Sequence, residues 1–339
     1  MSIVMIMSQD RIDQEHAMLN RLVVGLLDDG TQVVRIVPTS PFDEPSPHER
    51  AVSLAKRVAT PMPVARFLRN TRTEELLEAL EKIDVEAFVT FGKDAEQVAH
   101  DLAKHIDVPI LQEVISMRQA RRVKKSSIVW RWLAATPTLE QFIANKIGVE
   151  RVALVPLGAA TSHISESIPS NANTCISVLD ATSDFKATRS LLEALEPIPN
   201  VRIFMEFTGK HQAKVWKEIN QRKMQDRVTC MRDMADVRSL ITQSDLVLVP
   251  SKSMQMRTIL LEVMLASIPI ISTKIEGFDM LIDQETALIV DKSWQEAIQQ
   301  MLNNREFASR IGKNAACLIN EKYASAVQIA AFEASFTLI

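Results

Sequence analysis

The residues best placed to do chemistry lie in LVLVPSKSMQMRTILLEVMLASIPIIST, positions 246–273. An apolar strand, Leu246 to Val249, runs into Pro250 and Ser251. An amphipathic helix from Thr258 to Ala266 then carries a single acid, Glu262, before Pro269 opens the next strand. An ionised carboxylate is acceptor-only and can take two hydroxyl donors. Arg257 stands just ahead of that helix, from where a guanidinium can project toward an anion at the positive end of the helix dipole. Lys186 offers a compact point charge near the start of another helix, in DFKATRSLLEAL at 184–195. A third group, SMRQARRVKKSSIVWRW at 116–132, concentrates Arg118, Arg121, Arg122, Lys124, Lys125 and Arg131 beside Trp130 and Trp132. Cations next to interfacial aromatics suit adsorption to anionic lipid. The plain alternatives are a solvated acid, a surface lysine, a surface arginine and a solvated basic helix whose tryptophans belong to the core.

Other chemistries have less to stand on. Cys175, Cys230 and Cys317 are odd in number and widely spaced, which indicates neither a disulfide framework nor a zinc site. His100 and His105 are five apart and share no helix face, so no metal site is expected. The formal net charge of −3 argues against a general nucleic-acid binder. Only 8 glycines occur in the chain, and loops that wrap a phosphate closely with backbone N–H groups usually depend on them.

The elements that must position these residues alternate strand and helix twice over. At 339 residues, 47% of them hydrophobic and 24% charged, the chain has material for two cores. The first series runs through strand Ile3–Met7, helix Ile12–Asp29 stopped by Gly30, and strand Gln32–Val37. After the Pro- and Ser-rich loop 38–50, Thr71 and Glu74 form a capping box for a helix reaching about Lys82. Strand Ala87–Phe91, helix Ala95–His105, strand Val108–Val114, helix Leu139–Lys146 and strand Arg151–Pro156 follow. The second series starts at Cys175 and alternates through strands at Val201–Phe207, Arg227–Cys230, Leu246–Val249 and Ile268–Ser272. Such alternation implies parallel sheets covered on both faces. The predicted organisation is a domain over 1–160, a polar linker over 161–174, a second domain over 175–320 and a C-terminal helix over 321–339 that crosses back to the first domain.

The second half resembles the retaining nucleotide-sugar glycosyltransferases of family 4. Pro250, Ser251, Leu260, Leu261, Glu262, Met264 and Pro269 keep the frame of that family's signature helix. IEGFDMLIDQETALIV, 275–290, is similar to a downstream segment and holds Gly277, Glu285 and Thr286. DFKATRSLLEAL places Lys186 at the family's phosphate-binding lysine, and GVERVALVPLGAA, 148–160, looks like the strand closing the first domain. The chain departs from the pattern at four places. Met254 stands for the first acid of the paired-acid motif, with Gln255 and Arg257 for the glycines around it. Ala181, or a small or acidic neighbour, stands for an arginine, a residue near Ile115 for a histidine, and SQDRIDQEH for a glycine loop after the first strand.

The resemblance implies a GT-B fold, with two Rossmann-like doubly wound parallel-sheet domains facing a cleft. It implies transfer of a sugar from a nucleotide-activated donor to a glycan or lipid-linked acceptor. The donor would be held by Glu262 on the ribose hydroxyls, Lys186 on the diphosphate, and Arg257, Ser251 and Gly277 nearby. The nucleotide-sugar is a substrate, so no cofactor or metal is called for. The departures imply an alternative, a catalytically silent relative acting as a binding or scaffolding partner. With no signal peptide and no apolar run long enough to span a bilayer, the chain is expected in the cytoplasm, with a peripheral membrane contact through the 116–132 patch.

Overall fold

The computed structural model describes residues 2–39, 52, 54–126, 128–160, 174–241, 243–291 and 293–336. Most of the Pro- and Ser-rich loop (40–50) and of the expected linker (161–173) lies outside the described residues. The chain divides into two compact units: Met1–Gly158 with Ser325–Ile339, and Ala159–Ala324.

Unit 1 is built on strands β1 (Ser2–Met7), β2 (Gln32–Pro38), β3 (Lys56–Thr60), β4 (Ala87–Phe91), β5 (Ile110–Val114), β6 (Val129–Ala134) and β7 (Val152–Leu154). They form one sheet in the order β3-β2-β1-β4-β5-β6-β7, and each neighbouring pair is parallel. The central strands β1 and β4 are buried along their whole length. Their near-continuous apolar runs are what a sheet covered on both faces requires. Helices α1 (Gln9–Asp28), α2 (Arg69–Leu80), α3 (Lys93–Leu102), α4 (Met117–Ala120) and α5 (Pro137–Ile147) make the crossovers.

Three local expectations change. Strand β3, KRVAT, has no apolar alternation to announce it and is an edge strand of the sheet. The helix expected from Thr71 starts at Arg69, continuing a 3-10 turn over Arg66–Leu68, so Thr71 lies inside it and caps nothing. Part of the basic segment is strand β6, in which Val129, Arg131 and Leu133 are buried while Trp130 and Trp132 are half-buried. This period of two was masked by its charges.

Unit 2 carries β8 (Thr174–Val178), β9 (Val201–Glu206), β10 (Val228–Met231), β11 (Leu246–Val249), β12 (Ile270–Ser272) and β13 (Leu288–Ile289). These six strands are parallel in the order β10-β9-β8-β11-β12-β13. The connecting helices are α6 (Phe185–Leu195), α7 (Gln212–Gln221), α8 (Met234–Ile241) and α9 (Thr258–Leu265), followed by α10 (Trp294–Asn303) and α11 (Arg305–Lys322). Ile176, Val178, Ile203, Leu246 and Leu248 meet Leu191, Leu195, Val215 and Ile298 in one buried cluster. The last helix, α12 (Ser325–Ala334), belongs to unit 1 and packs on α1. Gly25 permits that approach, since a Cβ there would lie 2.4 Å from Ile329 Cδ1.

Candidate functional site

Each sheet reverses its strand order once, between β1 and β4 in unit 1 and between β8 and β11 in unit 2. In open α/β sheets, ligands bind outside the carboxyl ends of the strands at such a reversal. In unit 2 the segments leaving β8, β11 and β12, three adjacent strands, carry Lys186, Ser251, Glu262 and Gly277. All five donor residues expected from the sequence lie on these segments, since Arg257 falls between Ser251 and Glu262 after β11.

Glu206, the last residue of β9, ties that edge together. It accepts from the backbone N–H of Asp180 at 2.8 Å and from Thr208 Oγ1 at 2.7 Å. Arg257 donates to it through Nη1 at 2.7 Å and Nη2 at 2.8 Å. Both members of this bidentate pair are buried, Glu206 at 1% exposure and Arg257 at 4%. Burial pushes the Glu206 carboxyl up, but the charge and hydrogen bonds of Arg257 override it and bring the pKa down to about 2. Arg257, expected to face an anion, thus has its charge answered within the fold.

Asp180 follows β8 with φ at +53°, a left-handed conformation that non-glycine residues adopt rarely. Its Oδ1 accepts from Ser183 Oγ at 2.5 Å. Burial raises its pKa, against the opposing pull of Arg257 and of the hydroxyls of Ser183 and Ser251. Ser251 itself is buried, and its Oγ accepts from the Ser253 N–H at 3.3 Å. Met254 and Met256 are buried as well, as flexible apolar side chains that cannot hydrogen-bond a sugar hydroxyl as the acid expected at Met254 would.

Glu262 sits in the second turn of α9, half-buried. Its carboxylate accepts a close hydrogen bond from Arg238 Nη1 of α8, whose Nη2 donates to Thr258 Oγ1 at 2.9 Å. Lys186 is exposed in the first turn of α6, where Asp184 is the N-cap and its Oδ1 accepts from the N–H groups of Lys186 and Ala187 at 3.1 and 3.2 Å. Gly277 is buried with φ at +86°, a conformation that explains why glycine stands there. Sequence reasoning missed Asp180, Glu206 and Arg238. The available signal was an acid closing an apolar strand, as in VRIFME, at an edge where solvated loops are the rule.

In unit 1 the equivalent edge holds a buried charge cluster. Arg11 Nη2 donates to Glu113 Oε1 at 2.6 Å, and Nη1 lies 3.7 Å from Glu15 Oε1. Burial raises the Glu113 pKa against the pull of Arg11. Gly92 opens α3 at φ +93°, where a Cβ would lie 1.9 Å from Ser8 Oγ. Of the basic segment, Arg118, Arg121, Arg122, Lys124 and Lys125 are exposed. The Arg131 guanidinium lies 4.1 Å from the Trp130 ring centroid and donates to the Ser335 carbonyl at 2.7 Å.

Residues 173–304 match the family model for Glycosyl transferases group 1. The alpha-D-kanosaminyltransferase of Streptomyces kanamyceticus is 30% identical over 122 residues, a match covering 34% of this chain and 32% of that protein. The chain thus aligns with about a third of the length of that curated relative. The structure of HepE from Anabaena in complex with UDP and glucose superposes with a TM-score of 0.83 at 11% identity, covering 100% of both chains. Sucrose-phosphate synthase from Thermosynechococcus elongatus superposes with a TM-score of 0.79 at 15% identity, covering 100% of this chain and 99% of that one. At such identities these likenesses speak for the fold, which is the two-domain α/β fold of GT-B proteins.

Proposed function

We propose that this chain is a glycosyltransferase of the group 1 kind that takes its sugar from a nucleotide-activated donor bound at the carboxyl edge of the unit 2 sheet. The observation that carries the reading is a coincidence of position. The group 1 match spans residues 173–304, and within it Lys186, Ser251, Glu262 and Gly277 follow three neighbouring strands at the order reversal. The kanosaminyltransferase and the UDP-containing HepE complex support a nucleotide-sugar as the donor class.

In this reading Glu262 accepts hydrogen bonds from the ribose hydroxyls, with Arg238 holding its carboxylate in place. Lys186 and the N-terminus of α9 face the diphosphate, where electrostatic stabilisation of a leaving group is normally a large contribution. Ser251 and the backbone at Gly277 line the same edge. Arg257 acts indirectly, by fixing the loops after β8, β9 and β11 through Glu206. Unit 1 supplies the acceptor site, for a glycan or a lipid-linked acceptor.

A second reading, a relative that binds without transferring, is favoured by one observation. Two carboxylates, Asp180 and Glu206, lie at the edge that the first reading gives to the phosphates, and Arg257 is engaged by one of them. Thermal unfolding with uridine, guanosine and adenosine diphosphates and their sugars separates the cases. A ligand at a hundredfold excess over its dissociation constant adds about 2.7 kcal/mol, a rise of several degrees. No rise with any nucleotide overturns the donor site, whereas a rise without transfer or hydrolysis selects the second reading.

A further inference from the structure

Phe67 is 81% exposed and Leu68, beside it, 46%. Both lie in the 3-10 turn Arg66–Leu68 that leads into α2, at the carboxyl end of the edge strand β3. The surrounding sequence is one-sided in charge: from Val52 to Thr73 there is no Asp or Glu, while Lys56, Arg57, Arg66, Arg69 and Arg72 all fall inside it. Arg72 is spent on Asp101, to which it donates at 2.7 Å, and Lys56 on the Ala79 carbonyl. Arg66 is exposed in the turn itself, and Arg69 follows it half-buried. The acids of α2 begin at Glu74, roughly two helical turns beyond Phe67, so the element is basic and apolar at its tip and acidic further along its exposed face.

We propose that this turn is a membrane-docking tip, which inserts Phe67 and Leu68 into the interface of an anionic phospholipid bilayer while Arg66 and Arg69 meet the headgroups. Two neighbouring side chains are far too little for a stable protein interface, which buries on the order of 800 Å² per partner. They suffice for interfacial insertion when cations flank them, since apolar burial and attraction to anionic lipid add. The segment first suspected, 116–132, offers a smaller apolar contact: Arg118, Arg121, Arg122, Lys124 and Lys125 are exposed, but Ile128 at 44% is its one exposed large apolar side chain among the described residues, and Trp130 and Trp132 are half-buried in β6. The tip stands independently of the proposed transfer reaction, because it needs neither donor nor acceptor.

The test is co-sedimentation of the full chain with vesicles of phosphatidylglycerol and phosphatidylcholine, against vesicles of phosphatidylcholine alone. Binding is expected only with the anionic lipid, weakening with salt. The double substitution Phe67→Ser and Leu68→Ser should lower the partition roughly tenfold or more, and Arg66→Glu should lower it and flatten its salt dependence. Both sites are exposed, so an unchanged thermal midpoint confirms that the variants fold. The inference is overturned if the chain ignores anionic vesicles or if the Phe67/Leu68 variant binds as well as the parent. It is equally overturned if sedimentation shows a dimer that the same variant abolishes, which would give the tip to a second copy.

Discussion

Replacing Arg257 with methionine keeps the apolar stem and removes the charge that Glu206 depends on. The drop of the Glu206 pKa from 4.5 to about 2 corresponds to about 3 kcal/mol of stability. Because the folded pKa is depressed, that stability is fully present above pH 4.5 and is lost as pH falls through about 2. In Arg257→Met the burial of Glu206 remains without compensation, and its pKa rises above the ordinary carboxylate value instead. The expected cost near neutral pH is therefore roughly 3–5 kcal/mol, the range for breaking a buried pair from one side. The cost should shrink by at least about 2 kcal/mol between pH 6 and pH 3, because the parent loses about that much of the pair's stability there while the variant's stranded carboxylate takes up a proton. Calorimetric unfolding across that range measures it, with the unit 1 transition as internal reference. The companion variant Glu206→Gln with Arg257→Met should recover much of the loss, since no charge is then left buried. A cost below about 1 kcal/mol, or one that does not change with pH, would refute the account of the pair.

Two further predictions concern nucleotide binding. Glu262→Gln should weaken uridine and UDP alike by roughly ten- to a hundredfold in titration calorimetry, whereas Lys186→Ala should weaken UDP and leave uridine unchanged. Equal losses for both ligands in both variants would dissolve the division of labour. Asp180→Asn should strengthen UDP binding, because it removes a buried negative charge from the phosphate side, and should flatten the rise in affinity expected as pH falls through the raised Asp180 pKa. An unaltered affinity and pH profile in that variant would place the diphosphate elsewhere.

Much of the fold was legible because its strands announce themselves. Ala87–Phe91 and Leu246–Val249 are short apolar runs bounded by breakers, and helix Phe185–Leu195 carries a clear amphipathic period after an Asp N-cap. What stayed hidden lacked those signals. Strand β3 is an edge strand with a half-solvated pattern. Strand β6 buries an arginine among its apolar positions because the Ser335 carbonyl receives it from the far end of the chain. The site divides in the same way. Glu262, Ser251, Lys186 and Gly277 were singled out by the resemblance of short local motifs to the family 4 pattern, but the partners Glu206, Asp180 and Arg238 come from other strands and helices. A pairing such as Glu206 with Arg257, 51 residues apart in sequence, has no local period to reveal it.

The two functional readings turn on where an incoming diphosphate finds positive potential. The N-terminus of α6 is a poor anchor, because the Asp184 carboxylate already occupies the N–H groups of Lys186 and Ala187. That cap also puts a negative charge beside the ammonium of Lys186. The N-terminus of α9 differs, since its N-cap residue, Arg257, places no side-chain acceptor on the first turn and sends its guanidinium to Glu206 instead. In the proposed reading the positive end of the α9 dipole, one turn before Glu262, is turned to the donor. A phosphate seated there would bring the ribose within reach of Glu262, and the helix would supply the positive end that Ala181 and Arg257 do not. In the proposed reading, backbone dipole and Lys186 would hold the donor in place of a clamp of arginines. Binding would then be weaker and more sensitive to salt than in a fully cationic cradle.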